Sequence, residues 1–143
     1  MTNQPPMPND QLPSPEAADR KSFDLEERTA RFGERAIVFA KSLPVDVVNS
    51  VLIGQLVRAA TSVGANYCEA DDAESKKDFR HKIGLCRKES RESKHWLRMI
   101  AAAEPSRRDE IRTLWQEAKE LNLIFGAIGR SAEKSNNDSI RKA

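Results

Sequence analysis

The stretch Arg58–Ile100, RAATSVGANYCEADDAESKKDFRHKIGLCRKESRESKHWLRMI, decides the fold. It begins as a helix rich in small residues, passes through an acidic turn near Asp72, and continues as a long basic helix with Trp96 close to its end. Ser75 followed three residues later by Asp78 is a helix-start signature, because the serine oxygen can satisfy an orphan N–H of the first turn. From there Phe79, Ile83, Cys86, Ser90, Ser93, Leu97 and Ile100 recur with helical period and share one face.

Working outward, the flanks repeat the pattern. Upstream, Asp24 with Glu27 reads as an N-cap, and Leu25, Thr29, Phe32, Ala36, Phe39 and Leu43 follow at helical spacing. Pro44 ends that helix and is placed to open the next. The second helix shows Val45, Val48, Leu52, Leu56, Ala59, Val63 and Asn66 on one stripe. Downstream, Pro105-Ser106 breaks the third helix, and Ser106 with Asp109 caps a fourth carrying Ile111, Leu114, Ala118, Leu121, Phe125 and Ile128. Short loops between helices of roughly 18 to 28 residues imply antiparallel neighbours. The expected fold is therefore all-α, an antiparallel up-and-down four-helix bundle over residues 23–131.

Residues 1–22 hold Pro5, Pro6, Pro8, Pro13 and Pro15 among polar residues and read as a disordered arm. Residues 132–143 read as a short polar tail that frays. All six glycines, at 33, 54, 64, 84, 126 and 129, fall inside predicted helices. Each costs about 1 kcal/mol relative to Ala in an exposed helix interior, so close helix approach is the expected compensation.

A chain of 143 residues, 32% charged and 6% aromatic, suits one domain with a thin aliphatic core. Its formal charge of +2 names no partner, but the distribution is informative. Between Val45 and Glu74 the acids Asp46, Glu69, Asp71, Asp72 and Glu74 outweigh the single base Arg58. Between Ser75 and Ala103 nine Lys and Arg residues face only Asp78, Glu89 and Glu92. Cys68 and Cys86 make neither a disulfide framework nor a zinc spacing, and read as two small, half-buried thiols in a reducing cytosol. No apolar run approaches the roughly 20 residues of a membrane span, and no signal-peptide pattern opens the chain. A cytoplasmic protein with no membrane contact is the expectation.

On a helical wheel, Lys82 and Glu89 fall inside the apolar arc of the third helix. Gln55, Arg58, Ser62, Asn66 and Glu69 form a polar stripe beside the core face of the second. Folding the two helices about the turn near Asp72 brings Arg58 level with Glu89 or Glu92, and Glu69 level with Lys82. These five residues read as half-buried bridges that fix the hairpin's register. The same carboxylates could serve as general acid or base, but no Ser or Cys nucleophile with a His partner accompanies them. Glu92-Ser93-Lys94-His95 has the Glu-x-x-His spacing of di-iron bundles, which need it on two helices. Both histidines here, His81 and His95, lie on one. Neither catalytic residues, a metal nor a cofactor is expected.

Lys76, Arg80, Arg87, Arg91, Lys94 and Arg98 occupy a narrow sector of the third helix over about 33 Å at 1.5 Å per residue. A solvated face normally mixes signs, whereas this sector holds almost no acids. That reach fits an RNA or DNA phosphate backbone, and the lack of interleaved aromatics argues against base stacking. An acidic protein surface, bound by an adaptor, is the alternative partner. Ile37, Val38, Val47, Val51, Leu123 and Ile124 cannot all face one core, which points to an oligomer interface.

Ser62-x-Gly64-x-Asn66-x-x-Glu69-Ala70, Ser75-Lys76-Lys77-Asp78-Phe79 and Lys88-Glu89-x-Arg91-Glu92-x-x-x-Trp96-Leu97 together carry a resemblance over residues 24–130. The chain resembles the bacterial four-helix bundle family that includes proteins encoded in intervening sequences of 23S ribosomal RNA genes and the accessory variability determinants of diversity-generating retroelements. The resemblance implies a small homo-oligomeric bundle, a pentamer. Its retroelement branch further implies a basic surface that engages nucleic acid and a reverse transcriptase. The expected function is a non-enzymatic, nucleic-acid-associated scaffold with its binding face on the third helix.

Overall fold

The computed structural model describes residues 24–142, so the proline-rich arm at 1–22 lies outside the described residues. Four helices follow in chain order: α1 (Leu25–Lys41), α2 (Val47–Asp71), α3 (Lys76–Ala103) and, after a 3-10 turn at Pro105–Arg107, α4 (Arg108–Lys142). The described residues contain no strand. Each of the first three helices starts where a side-chain oxygen satisfies an early amide. Asp24 accepts from Glu27 N (3.2 Å), Asp46 from Asn49 N (2.7 Å) and Ser75 from Asp78 N (3.0 Å).

Two starts differ from the sequence expectation. Asp46 rather than Pro44 opens α2, because a capping carboxylate satisfies an amide that proline only leaves out. Ser106 stands inside the 3-10 turn instead of capping α4, which grows directly out of that turn. At the other end, α4 runs through the polar tail to Lys142. No Gly or Pro follows Gly129, and Arg141 and Lys142 complement the C-terminal dipole, so the backbone keeps its helix although no side chain beyond Gly126 is buried.

The core is a single cluster built around Phe32, Phe39, Leu56, Val63, Ile83, Leu97, Ile100, Leu121 and Phe125. Sequential helices pack side by side as antiparallel neighbours, and α1 meets α4 least closely. Glycines explain how near α1 and α2 come. A Cβ on Gly33 would stand 3.5 Å from Thr61 Cα, and one on Gly64 would stand 3.3 Å from Thr29 Oγ1. Gly54 and Gly84 break the expected rule: nothing lies within 4 Å of a Cβ built on either. On α3 the small residues Ser90 and Ser93 are fully buried, their hydroxyls donating to Cys86 O (2.7 Å) and Glu89 O (2.8 Å).

The stripe assigned to α2 slips at its start. Val45 and Val48 are 91% and 59% exposed, and the inward position of the first turn belongs to Asn49. Its amide donates to Pro44 O and to Glu104 Oε1, both at 2.9 Å, tying the α1–α2 loop to the end of α3. α2 also corrects the expectation that no segment is long and apolar enough to cross a membrane. By length and composition it is. In the bundle it buries Leu56, Ala59, Ala60 and Val63, while Val47, Val48 and Val51 face outward, so it is apolar on two sides.

The α1–α4 seam is fastened at its ends. Arg28 grips Glu117 through two nitrogens (2.6 and 3.1 Å) and reaches Glu120 at 2.9 Å. The bond to Glu117 holds the Arg28 guanidinium pKa above its usual range. At the far end Arg107 donates to Ser42 O (3.1 Å) and lies over the Phe39 ring. Between these clasps an open groove of about 890 Å³ exposes Val38, with Glu34, Arg35 and Glu110 on its rims.

Candidate nucleic-acid interface

The α2–α3 hairpin supplies the support for the basic face. Arg58 Nη1 lies 3.3 Å from Glu89 Oε2, Arg58 Nη2 lies 2.7 Å from Glu92 Oε1, and Lys82 Nζ lies 2.5 Å from Glu69 Oε2. The hydrogen bond it donates to Glu69 holds the Lys82 ammonium above its usual pKa. Glu89 is the buried member, its side chain only 12% exposed. Burial, with Glu92 beside it, pushes its carboxyl above the usual range, and Arg58 pulls it back.

A carboxyl with a raised folded pKa costs stability once ionised. That cost is absent below the unfolded pKa, appears as pH rises between the two values, and is complete above the folded one. Arg58 offsets it. Arg58→Ala therefore destabilises the protein by about 1–2 kcal/mol at neutral pH, a modest figure because Arg58 is half exposed. The loss shrinks as pH falls through the carboxylate range, about 4–5. Thermal melts of both proteins at neutral and mildly acidic pH check this. An equal gap at both, or none at neutral pH, contradicts it.

The six cations of the α3 stripe take up three settings. Lys76 and Arg98 project freely, and Arg91 borders a surface depression with Arg58, Lys88, Glu89, Glu92 and His95. Arg80 and Arg87 turn toward α4. Lys94 lies over the Trp115 ring at 5.5 Å, and Lys119 lies over the same ring at 5.7 Å. That aromatic escaped the sequence reading because it comes from a different helix. None of the six cations makes an ion pair among the described residues, whereas Arg28, Arg31, Arg58, Lys82 and Arg107 all do.

The other singled-out residues separate. His81 and His95 are both exposed on α3, and His95 packs edge-on against Trp96 (5.0 Å between ring centres). Among the described residues no group of three or more His, Cys, Asp or Glu is placed to hold a metal. The two cysteines are not alike: Cys68 is exposed, and Cys86 is fully buried with its Sγ 3.5 Å from Val63 O. Burial pushes the Cys86 thiol up to about 12, so it is an inert packing group. Of the apolar residues expected outside the core, Ile37, Val38, Val47, Val51 and Leu123 are exposed, but Ile124 packs half-buried against it. The 3.6-residue period carries Ile124 back toward the side of Leu121 and Phe125.

The sequence profile of the 23S rRNA-intervening sequence protein family matches residues 21–127. The chain is also similar to the solved structure of a protein with unknown function from the S23 ribosomal protein family of Bacteroides thetaiotaomicron VPI-5482. The TM-score is 0.65 at 26% identity, covering 73% of this chain and 96% of that one. No curated protein matches the chain.

Proposed function

This chain belongs to the 23S rRNA-intervening sequence protein family, and on that premise we propose that it is a non-enzymatic, homo-oligomeric scaffold of the cytoplasm that associates with nucleic acid through the basic face of α3. One observation carries the reading: six cations, Lys76, Arg80, Arg87, Arg91, Lys94 and Arg98, recur along one sector of α3 and make no ion pair among the described residues. Unpaired, repeated positive charge on one rigid helix attracts a polyanion and reads its backbone rather than its bases. Sequence-independent binding of short RNA and duplex DNA by the full chain, seen by fluorescence anisotropy at low salt, tests it. Binding of an acidic protein surface with none of nucleic acid would favour the adaptor reading.

Self-association is supported by the outward valines of α2. Val47 and Val51 stand 85% and 62% exposed beside Val48, a patch that a solvated monomer does not need. The family resemblance is the ground for proposing a pentamer, and its retroelement branch for proposing a reverse transcriptase as a further partner. Native mass spectrometry is expected to give five times the chain mass of 16.1 kDa. Val47→Glu with Val51→Glu is expected to leave the single-chain mass. A wild-type protein that stays monomeric at micromolar concentration contradicts the assembly.

A further inference from the structure

α4 carries cations of its own, and two of them, Lys119 and Arg130, stand beside the row on α3. Ile83 against Gly129, Arg87 O accepting from Asn122 Nδ2 (2.8 Å) and Lys94 over Trp115 fix the antiparallel register of the two helices. The same register sets Lys76 level with Lys134, Arg80 with Arg130, Arg91 with Lys119 and Arg98 with Arg112. The step from 119 to 130 is three helical turns, so Lys119 and Arg130 leave α4 on one side, whereas Arg112 borders a depression with Arg35 of α1. Two acids of α4 are drawn elsewhere, because Glu117 and Glu120 point to α1, where Arg28 holds them.

The two helices meet at a notch of about 270 Å³ bordered by Arg80, Arg87, Arg130 and Glu133 and floored by Gly84 and Gly126. Gly126 makes the room. A Cβ there would stand 3.2 Å from Arg130 Nη1 and 3.7 Å from Arg87 Nε, so both guanidiniums cross the bare backbone of one residue. Arg80 Nε is buried and has no hydrogen-bond partner. None of the three arginines makes an ion pair among the described residues, and neither does Glu133. Three guanidinium forks around a small recess match a tetrahedral oxyanion, whose oxygens accept paired N–H donors and whose charge relieves their mutual repulsion.

We propose that this notch is a phosphate seat: Arg80, Arg87 and Arg130 hold one phosphate group of a nucleic-acid backbone, and the neighbouring cations of α3 with Lys119 of α4 attract the backbone to either side. The proposal rests on the nucleic-acid reading above and adds Arg130, a residue outside α3, as a decisive contact. Glu133, which also borders the notch, opposes the anion and sets the sign of a second variant.

The experiment titrates labelled duplex DNA into full-length wild type, Arg130→Gln, Glu133→Gln and, as a control with the same charge change on α1, Lys41→Gln. A parallel arm measures the melting temperature in millimolar inorganic phosphate at constant ionic strength. Arg130→Gln is expected to weaken DNA binding about tenfold and to lower the salt slope by about one. Glu133→Gln is expected to strengthen binding about threefold, and Lys41→Gln to leave it unchanged. Inorganic phosphate is expected to raise the melting temperature of wild type more than that of Arg130→Gln.

DNA binding with Arg130→Gln equal to Lys41→Gln would overturn the seat and leave the function standing. Absent DNA binding with a phosphate shift that needs Arg130 would overturn the function and uphold the seat as a free-phosphate site. Neither response would overturn both.

Discussion

Glutamine at Lys76, Arg80, Arg87, Arg91, Lys94 and Arg98 together is expected to weaken duplex DNA binding about 10³-fold or more at low salt and to flatten its salt dependence. Each phosphate neutralised releases condensed counterions, so six contacts give a slope near −5 in log K against log[salt]. Between 50 and 200 mM salt, that slope corresponds to about a 10³-fold loss for the wild type. The variant should keep its fold. None of the six cations is in an ion pair among the described residues, and Gln matches Lys and Arg closely in helix propensity. Circular dichroism and melting temperature report on that separately from affinity. A folded variant that binds as tightly as wild type would make the row an ordinary solvated face.

Phe125→Ala is expected to be the most damaging single change to stability, at about 3–5 kcal/mol. Phe125 is completely buried on α4, and its ring centre lies 5.9 Å from that of Tyr67 on α2. Truncation removes the transfer free energy of the ring and leaves a cavity that surrounding helices close only in part. In a chain of this size each kcal/mol lowers the melting temperature by a few degrees, so a drop on the order of 10 °C follows. Because Phe125 neighbours the Arg130 notch, the same variant should also weaken DNA binding, though less than the sixfold glutamine change. A melting temperature within a degree of wild type would mean that α4 does not seal the core as described.

Much of the fold could be read directly because its signals are local. Capping residues, the 3.6-residue period and the turn at Asp72 are all set within a few residues, and the turn then places Arg58 opposite Glu89 and Glu92. The Arg28–Glu117 clasp was hidden for the opposite reason: no short loop fixes the register of α1 against α4, so nothing in the sequence aligns them. The cations of α4 were masked by the acids threaded among them. Only the α3–α4 register separates Lys119 and Arg130 from Glu117 and Glu120. Asn49 was displaced from the core by a stripe that counted valines, because periodicity weighs hydrophobicity and not the hydrogen bonds a buried amide can complete. Gly54 and Gly84 show the limit of composition, since a glycine's reason to be in a helix depends on neighbours that only the packing reveals.

The most direct test of the central claim is the salt dependence of wild-type affinity, measured by fluorescence anisotropy with short RNA and duplex DNA of unrelated sequences. A linear fall of log K with log[salt], with a slope near −5 on duplex DNA and little difference between sequences, is the predicted result. No binding at low salt, or binding that salt leaves unchanged, would contradict it.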